Sequence, residues 1–210
     1  MIASIGDFLY TYNDDTVFVH HYFESDAEFE GIKITQNTEY PHNGAVRLTV
    51  KGMAGKTLAV RIPGWAQNCA VADAYKTEKG YAYIAIDCNE KVINLDFAME
   101  CRLVAANPAV EADVGRVALC RGPLVYCAEK IDNGTALNNL SISEKLNAEI
   151  SFNEEMQAYT VEADGFEDAA TDALYRTYRN DLVPRRIKLI PYFAFANRGA
   201  SDMLVWLRIK

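Results

Sequence analysis

Short runs of β-branched and aromatic residues, cut at intervals by turn-forming segments, constrain this chain more than any other feature. Val17-Phe-Val-His-His-Tyr-Phe is one such run; Gly31 to Thr35, Ala45 to Lys51, Thr57 to Ile62, Ala70 to Tyr75, Tyr81 to Ile86 and Lys91 to Phe97 follow. Branched and aromatic side chains pack well on a pleated surface, so these runs read as strands. In Val46-Arg-Leu-Thr-Val-Lys apolar and polar residues alternate at period two, as they do where one face of a strand is buried. Asn13-Asp14-Asp15, Pro41-His-Asn-Gly, Gly52 to Gly55, Pro63-Gly64 and Lys79-Gly80 supply the turns between them. Many short strands with evenly spaced turns predict a sandwich or barrel.

The pattern continues in the second half. Val114 to Cys120 and Leu124 to Glu129 are joined by Arg121-Gly-Pro, and Ile150 to Phe152, Ala158 to Ala163, Lys188 to Asn197 and Met203 to Ile209 read as strands. Residues 130–148 read as loop or short helix, and Thr171 to Asn180 fits neither period. Asn107-Pro108 marks a seam, because proline lacks an N–H and restricts the residue before it. The expectation is an all-β fold of two β-sandwich lobes, residues 13–105 and 106–210, preceded by a short helix over residues 1–12. In that helix Ile2, Ile5 and Leu9 recur at three and four residues, with Phe8 and Tyr12 beside them. So short a helix is marginal in water and needs something to pack on. Ile2, Ile5, Phe8 and Leu9 are therefore candidate interdomain packing residues.

Composition closes off several functions. The net charge of −8 comes without a cationic stripe, so nucleic acid is not an expected partner. The one basic cluster, Arg176, Arg179, Arg185, Arg186 and Lys188, is interleaved with Asp172 and Asp181 and reads as a salt-bridged surface. No apolar run approaches the roughly 20 residues that span a bilayer, so a membrane is not an expected partner. Met1-Ile-Ala-Ser-Ile-Gly-Asp has no basic stretch and little apolar length, so it is not read as a signal peptide, and the location expected is cytoplasmic. The five cysteines, Cys69, Cys88, Cys101, Cys120 and Cys127, are odd in number and match no zinc or disulfide spacing. They read as small buried hydrophobes that form no disulfide.

Candidate chemistry is sparse. His20 and His21 sit next to each other on a predicted strand, where neighbours face opposite sides and do not easily share one ion. The acidic pairs Glu154-Glu155 and Asp164 with Glu167 lie in polar, loop-like stretches and read as solvated surface rather than a glycosidase dyad. Ser201 lacks a nucleophile-elbow context, and Gly52-Met-Ala-Gly55 lacks the ending of a phosphate loop. Aromatic residues remain, since β-sandwiches bind sugars by stacking rings on apolar sugar faces. Of Trp65, Tyr75, Tyr81, Tyr83, Tyr192 and Phe195, the candidates retained for carbohydrate are Trp65, Tyr192 and Phe195. Trp65 follows Pro63-Gly64 at a turn and is equally a candidate for packing across a domain boundary.

Four motifs spread over the chain resemble glycoside hydrolase family 127, the β-L-arabinofuranosidase family. They are Ser4-Ile-Gly-Asp-Phe-Leu-Tyr-Thr-Tyr, Val60-Arg-Ile-Pro-Gly-Trp-Ala, Gly115-Arg-Val-Ala-Leu-Cys-Arg-Gly-Pro-Leu-Val-Tyr-Cys, and Ile190-Pro-Tyr-Phe-Ala-Phe-Ala-Asn-Arg-Gly, which runs on into Met203-Leu-Val-Trp-Leu. The resemblance implies an (α/α) helical barrel followed by β-sandwich domains, with residues 1–12 resembling the end of the last barrel helix. It also implies a catalytic cysteine, an acid/base glutamate and a zinc ion held by Cys and Glu in the barrel. The family's Cys-Cys-Pro-Pro-Asn segment has no counterpart in this sequence, so no catalytic or metal role is carried onto any residue. The implied function is that of the non-catalytic C-terminal region of such a hydrolase. It would be inactive alone and need no cofactor, with zinc in the barrel. It would support the barrel and take part in homo-oligomers. A carbohydrate-binding module for arabinose-containing glycans is the alternative.

Overall fold

The computed structural model describes residues 2–134, 136–169, 173–177 and 179–210, with the side chains of residues 2 and 3 outside the description. The fold is all-β, of the sandwich kind, and the chain divides into two compact units, Met1–Met99 and Glu100–Lys210. The division falls before the seam expected at residue 105. Cys101–Ala105 is itself a strand, paired antiparallel with Arg116–Arg121 of the second unit, so it cannot end the first. Asn107-Pro108 lies in the loop after that strand, where a missing N–H costs no ladder bond.

The helix expected over residues 1–12 is shorter than the sequence suggests. Ile2–Phe8 is a 3-10 helix that ends where the Leu9 N–H bonds the Gly6 carbonyl. Tyr10–Tyr12 is instead a strand, paired antiparallel with Thr16–Val19. Two causes act together. Gly6 weakens the helix interior, and aromatic and β-branched Tyr10-Thr-Tyr favours a pleat. The Asn13 carboxamide then closes the hairpin by accepting from the backbone N–H groups of Asp15 and Thr16 at 3.0 and 2.8 Å.

Among the described residues the first unit holds two five-stranded sheets. One runs Tyr10–Tyr12, Thr16–Val19, Thr57–Arg61, Tyr81–Ala85, Lys76–Glu78; the other runs Ser25–Phe29, Ile32–Thr38, Ala45–Lys51, Glu90–Phe97, Cys69–Val71. All neighbours are antiparallel except Thr16–Val19 with Thr57–Arg61, because the chain visits the second sheet between those two strands. Strand alternation puts Val17, Val19, Leu58, Val60, Ala82 and Ile84 of one sheet against Ile34, Val46, Leu48, Val50, Ile93 and Phe97 of the other, in one buried core. The turn before Ala45–Lys51 passes so close to Phe97 that a Cβ on Gly44 would lie 1.8 Å from the Phe97 carbonyl oxygen, so only glycine fits there.

In the second unit the pairings of a nine-stranded sheet close on themselves. Arg116–Arg121 pairs with Leu207–Ile209, then come Leu140–Ile142, Ala158–Asp168, Leu182–Pro191 and Leu124–Glu129, which pairs back onto Arg116–Arg121. Ala158–Asp168 is long enough to serve two partners along one edge. Ala148–Asn153 covers its first half, and Leu140–Ile142 covers the rest from Gly165 onward. A Cβ on Gly165 would meet the Ser141 carbonyl oxygen and Ile187 Cδ1, each at 2.5 Å, so glycine allows the change of partner. Val117, Leu119, Tyr126, Leu140, Val161 and Leu189 lie in the core. No helix is long and apolar enough to cross a membrane among the described residues.

Candidate functional site

Two constellations stand out, one in each unit. In the first unit the Val60-Arg-Ile-Pro-Gly-Trp-Ala segment leaves strand Thr57–Arg61 and turns over the end of the sandwich. There Arg61, Pro63, Gly64 and Trp65 meet His20 to Phe23 and Tyr40 around a cleft of about 220 Å³. Trp65 is half-buried; its ring lies over Tyr40 with centroids 6.4 Å apart and meets Phe97 edge-on at 5.9 Å. Tyr22 is buried, with its hydroxyl donating to the Arg61 carbonyl, and burial pushes that hydroxyl well above the ordinary tyrosine range. Burial also raises Tyr40, against a hydrogen bond with Trp65 and the charge of Arg61.

His20 is half-buried and His21 exposed, as alternate faces demand, but strand Thr16–Val19 has ended, so both rim the same cleft. His20 is tied at both ring nitrogens, Nε2 to Thr11 Oγ1 and Nδ1 to Tyr81 Oη, each at 2.7 Å. Burial, then the neighbouring His21 and Arg61, hold it below the usual imidazole range. Arg61 is exposed and makes no ion pair among the described residues.

In the second unit a charged network is buried at the end of strand Leu124–Glu129. Glu129 is 1% exposed. Its Oε1 accepts the Ala196 N–H at 3.0 Å, and its Oε2 pairs with Arg198 at 2.5 Å. Arg198 also binds both carboxylate oxygens of Asp132, which Lys188 approaches at 3.0 Å. The Asp132 carboxyl is held below its ordinary range, chiefly by Arg198, whose own ionisation is pushed up by the same bond. Buried Asn133 completes the knot by donating to the carbonyls of Glu129 and Lys188 at 2.9 and 3.0 Å. This arrangement fixes the Asn197-Arg198-Gly199 segment against Lys130–Asn133; every carboxylate oxygen it uses is committed to a cation or an N–H.

The remaining sequence candidates scatter. Tyr192 is 52% exposed, whereas Phe195 is partly buried against Cys127, Ile190 and Ala194, so the two do not form a shared exposed platform with Trp65. Ile5 and Phe8 are exposed and Leu9 is buried; the Ile2 side chain lies outside the described residues. Asp164 and Glu167, expected in loops, lie on strand Ala158–Asp168, where Arg186 and Arg185 pair with them at 2.6 and 2.5 Å. Arg176 pairs with Asp168 at 2.7 Å, so much of the basic cluster is salt-bridged; its Asp172 lies outside the described residues. All five cysteines are free thiols. Cys120 and Cys127 are buried, and burial pushes the Cys127 thiol up to about 12, but Cys88 is exposed in the turn before Glu90–Phe97, contrary to the buried reading. Among the described residues no group of three His, Cys, Asp or Glu side chains is arranged to hold a metal ion, so the zinc implied by the resemblance finds no fitting ligand set here.

Two successive all-β units, the first ending at a ring-walled cleft and the second at an arginine–carboxylate knot, define the class of protein region. Residues 16–99 match the domain described as "Beta-L-arabinofuranosidase, GH127 middle domain", and residues 101–208 match "Glycoside hydrolase family 127 C-terminal domain". The chain belongs to glycoside hydrolase family 127 and corresponds to its C-terminal portion. It is 30% identical to the non-reducing end β-L-arabinofuranosidase of Bifidobacterium longum subsp. longum, over 99% of this chain and 35% of that protein. A GH127 β-L-arabinofuranosidase from Geobacillus stearothermophilus T6 superposes with a TM-score of 0.89 at 35% identity, over the whole of this chain and 36% of that one. A further GH127 β-arabinofuranosidase superposes with a TM-score of 0.82 at 30% identity, again over the whole chain and 37% of the other. The chain thus spans about a third of the length of these relatives.

Proposed function

We propose that this chain is the non-catalytic C-terminal region of a β-L-arabinofuranosidase-like hydrolase, and that it buttresses a catalytic helical barrel which also holds the zinc. The observation that carries this reading is the pair of family domains, matched in order and end to end, in a chain about a third as long as relatives described as β-L-arabinofuranosidases. The chemistry agrees with it. The Glu129 and Asp132 carboxylates are neutralised by Arg198, and Asp164 and Glu167 by Arg186 and Arg185, an arrangement that holds structure together rather than moving protons. Exposed Ile5 and Phe8, on the segment that resembles the end of a barrel helix, are the side chains we assign to packing against the barrel. Dimerisation of the whole enzyme is a second role for the same region.

The test removes the corresponding third from the Geobacillus relative. The shortened enzyme is expected to lose most of its activity on an aryl β-L-arabinofuranoside and to melt earlier than the intact enzyme. Unchanged turnover and unchanged melting would contradict a supporting role. The sugar-binding alternative rests on Trp65, which borders a cleft of its own unit with other rings.

A further inference from the structure

We propose that the cleft between Arg61 and Trp65 binds a sugar that carries a carboxylate: a uronic acid, free or at the end of a short glycan. This goes beyond the supporting role and does not depend on it.

The cleft has the size for one sugar ring, at about 220 Å³. Its walls are rings, from Trp65, Tyr40, Tyr22 and Phe23, and Phe23 is 41% exposed. The rings are held before any ligand arrives. Trp65 and Tyr40 hydrogen-bond each other, and the Tyr22 hydroxyl is committed to the Arg61 carbonyl. Fixed walls reduce the ordering cost of binding. The charge in the cleft is of one sign. Arg61 and His21 are exposed on the rim, and none of the nine lining residues is acidic. The charge of Arg61 bears on His20, Tyr22 and Tyr40 alike. The chain as a whole carries −8, so a guanidinium with no carboxylate partner among the described residues, at the mouth of a concave site, is out of keeping with its surroundings. A guanidinium pairs with a carboxylate through two parallel hydrogen bonds, which fixes orientation as well as supplying affinity. Aromatic walls take the apolar face of a sugar ring and give an inorganic anion nothing.

The experiment is an NMR titration of the whole chain with glucuronate, glucose and acetate at one ionic strength, following backbone amides and the Trp65 indole N–H. Glucuronate is expected to give saturable shifts confined to residues 20–23, 40 and 61–65. Glucose, which lacks only the carboxylate, and acetate, which lacks only the ring, are each expected to bind about tenfold more weakly or worse. Arg61→Gln should bring glucuronate down to the level of glucose, with the rest of the spectrum unchanged as a check on folding. Trp65→Phe keeps a ring and should retain binding. Equal binding of glucose and glucuronate would overturn the charge assignment. Equal binding of acetate and glucuronate would overturn the sugar assignment. No saturable shift with glucuronate, or shifts indifferent to Arg61→Gln, would overturn the proposal entirely. None of these outcomes bears on the truncation experiment above, so the two readings fail separately.

Discussion

The two units are built from similar strands but secured at their ends by opposite chemistry. In the first, the end of the sandwich is closed by rings and neutral hydrogen bonds: Tyr22, Tyr40, Trp65 and Phe97 pack together, and Thr11, His20 and Tyr81 form a hydroxyl–imidazole–hydroxyl chain. Its ion pairs Lys51–Glu90 and Lys76–Glu78 lie on the surface, where they contribute little, and Lys91–Asp73 is partly buried. In the second, the end is closed by charge, with buried Glu129 and the Asp132 carboxylate held by partly buried Arg198 and Lys188. Rings tolerate loss of one member by partial collapse. A buried charge knot does not, because removing one partner leaves the other charged in a low dielectric. The second unit should therefore be the more brittle to single substitutions and the first the more sensitive to mild acid.

The largest expected effect follows from that contrast. Arg198→Ala leaves buried Glu129 without a cation and Asp132 with Lys188 alone, and should cost the second unit about 3–5 kcal/mol. The chain has two tryptophans, Trp65 in the first unit and Trp206 in the second, so each unit can be followed in a denaturant melt with the other tryptophan replaced by Phe. The Trp206 transition should move and the Trp65 transition should stay. If both move equally, the units do not melt separately and the contrast fails.

A smaller effect is expected at the two close approaches. Gly44→Ala puts a methyl against the Phe97 carbonyl, and Gly165→Ala puts one against the Ser141 carbonyl. Each should cost about 1–3 kcal/mol in its own unit only, the usual range for overpacking. The same paired melts check this, and a neutral Gly44→Ala would show that the turn yields more freely than the backbone contact implies.

The smallest effects are those of pH, and their signs follow from the direction of each shift. His20 is depressed, so the unfolded chain takes up a proton more readily than the folded one. The first unit should hold its full His20 contribution above about 6.5 and lose it as pH falls below that value. Asp132 is also depressed, so its contribution to the second unit is present above about 3.8 and disappears as pH falls through the lower folded value. Melts at stepwise lower pH should weaken the Trp65 transition first. Replacing His20 with Gln should flatten the pH dependence of the first unit just below about 6.5.

How much of this was legible in the sequence depended on periodicity. Ala45–Lys51 is readable to the residue because its alternation is clean and one face is fully buried. Lys76–Glu78 is not, because an edge strand exposed at every residue carries no periodic signal. Pro184 hides the start of Leu182–Pro191. It is tolerated because only the far end of that strand, residues 189–191, has a second neighbour. The cleft was half legible. Trp65 stands out at its turn, but Tyr22, Tyr40 and Arg61 reach it from separate strands and turns, and only the fold brings them together. The charge knot was missed, although an acidic residue directly after the apolar run Leu124-Val-Tyr-Cys-Ala is a signal that Glu129 needs a buried cation.

The central claim is that this region lacks the hydrolase's catalytic machinery, and turnover by the isolated chain tests it most directly. The purified protein, assayed on an aryl β-L-arabinofuranoside with and without added zinc, should release no more product than buffer. Zinc-dependent hydrolysis abolished by replacing any one of Cys69, Cys88, Cys101, Cys120 or Cys127 would contradict the account.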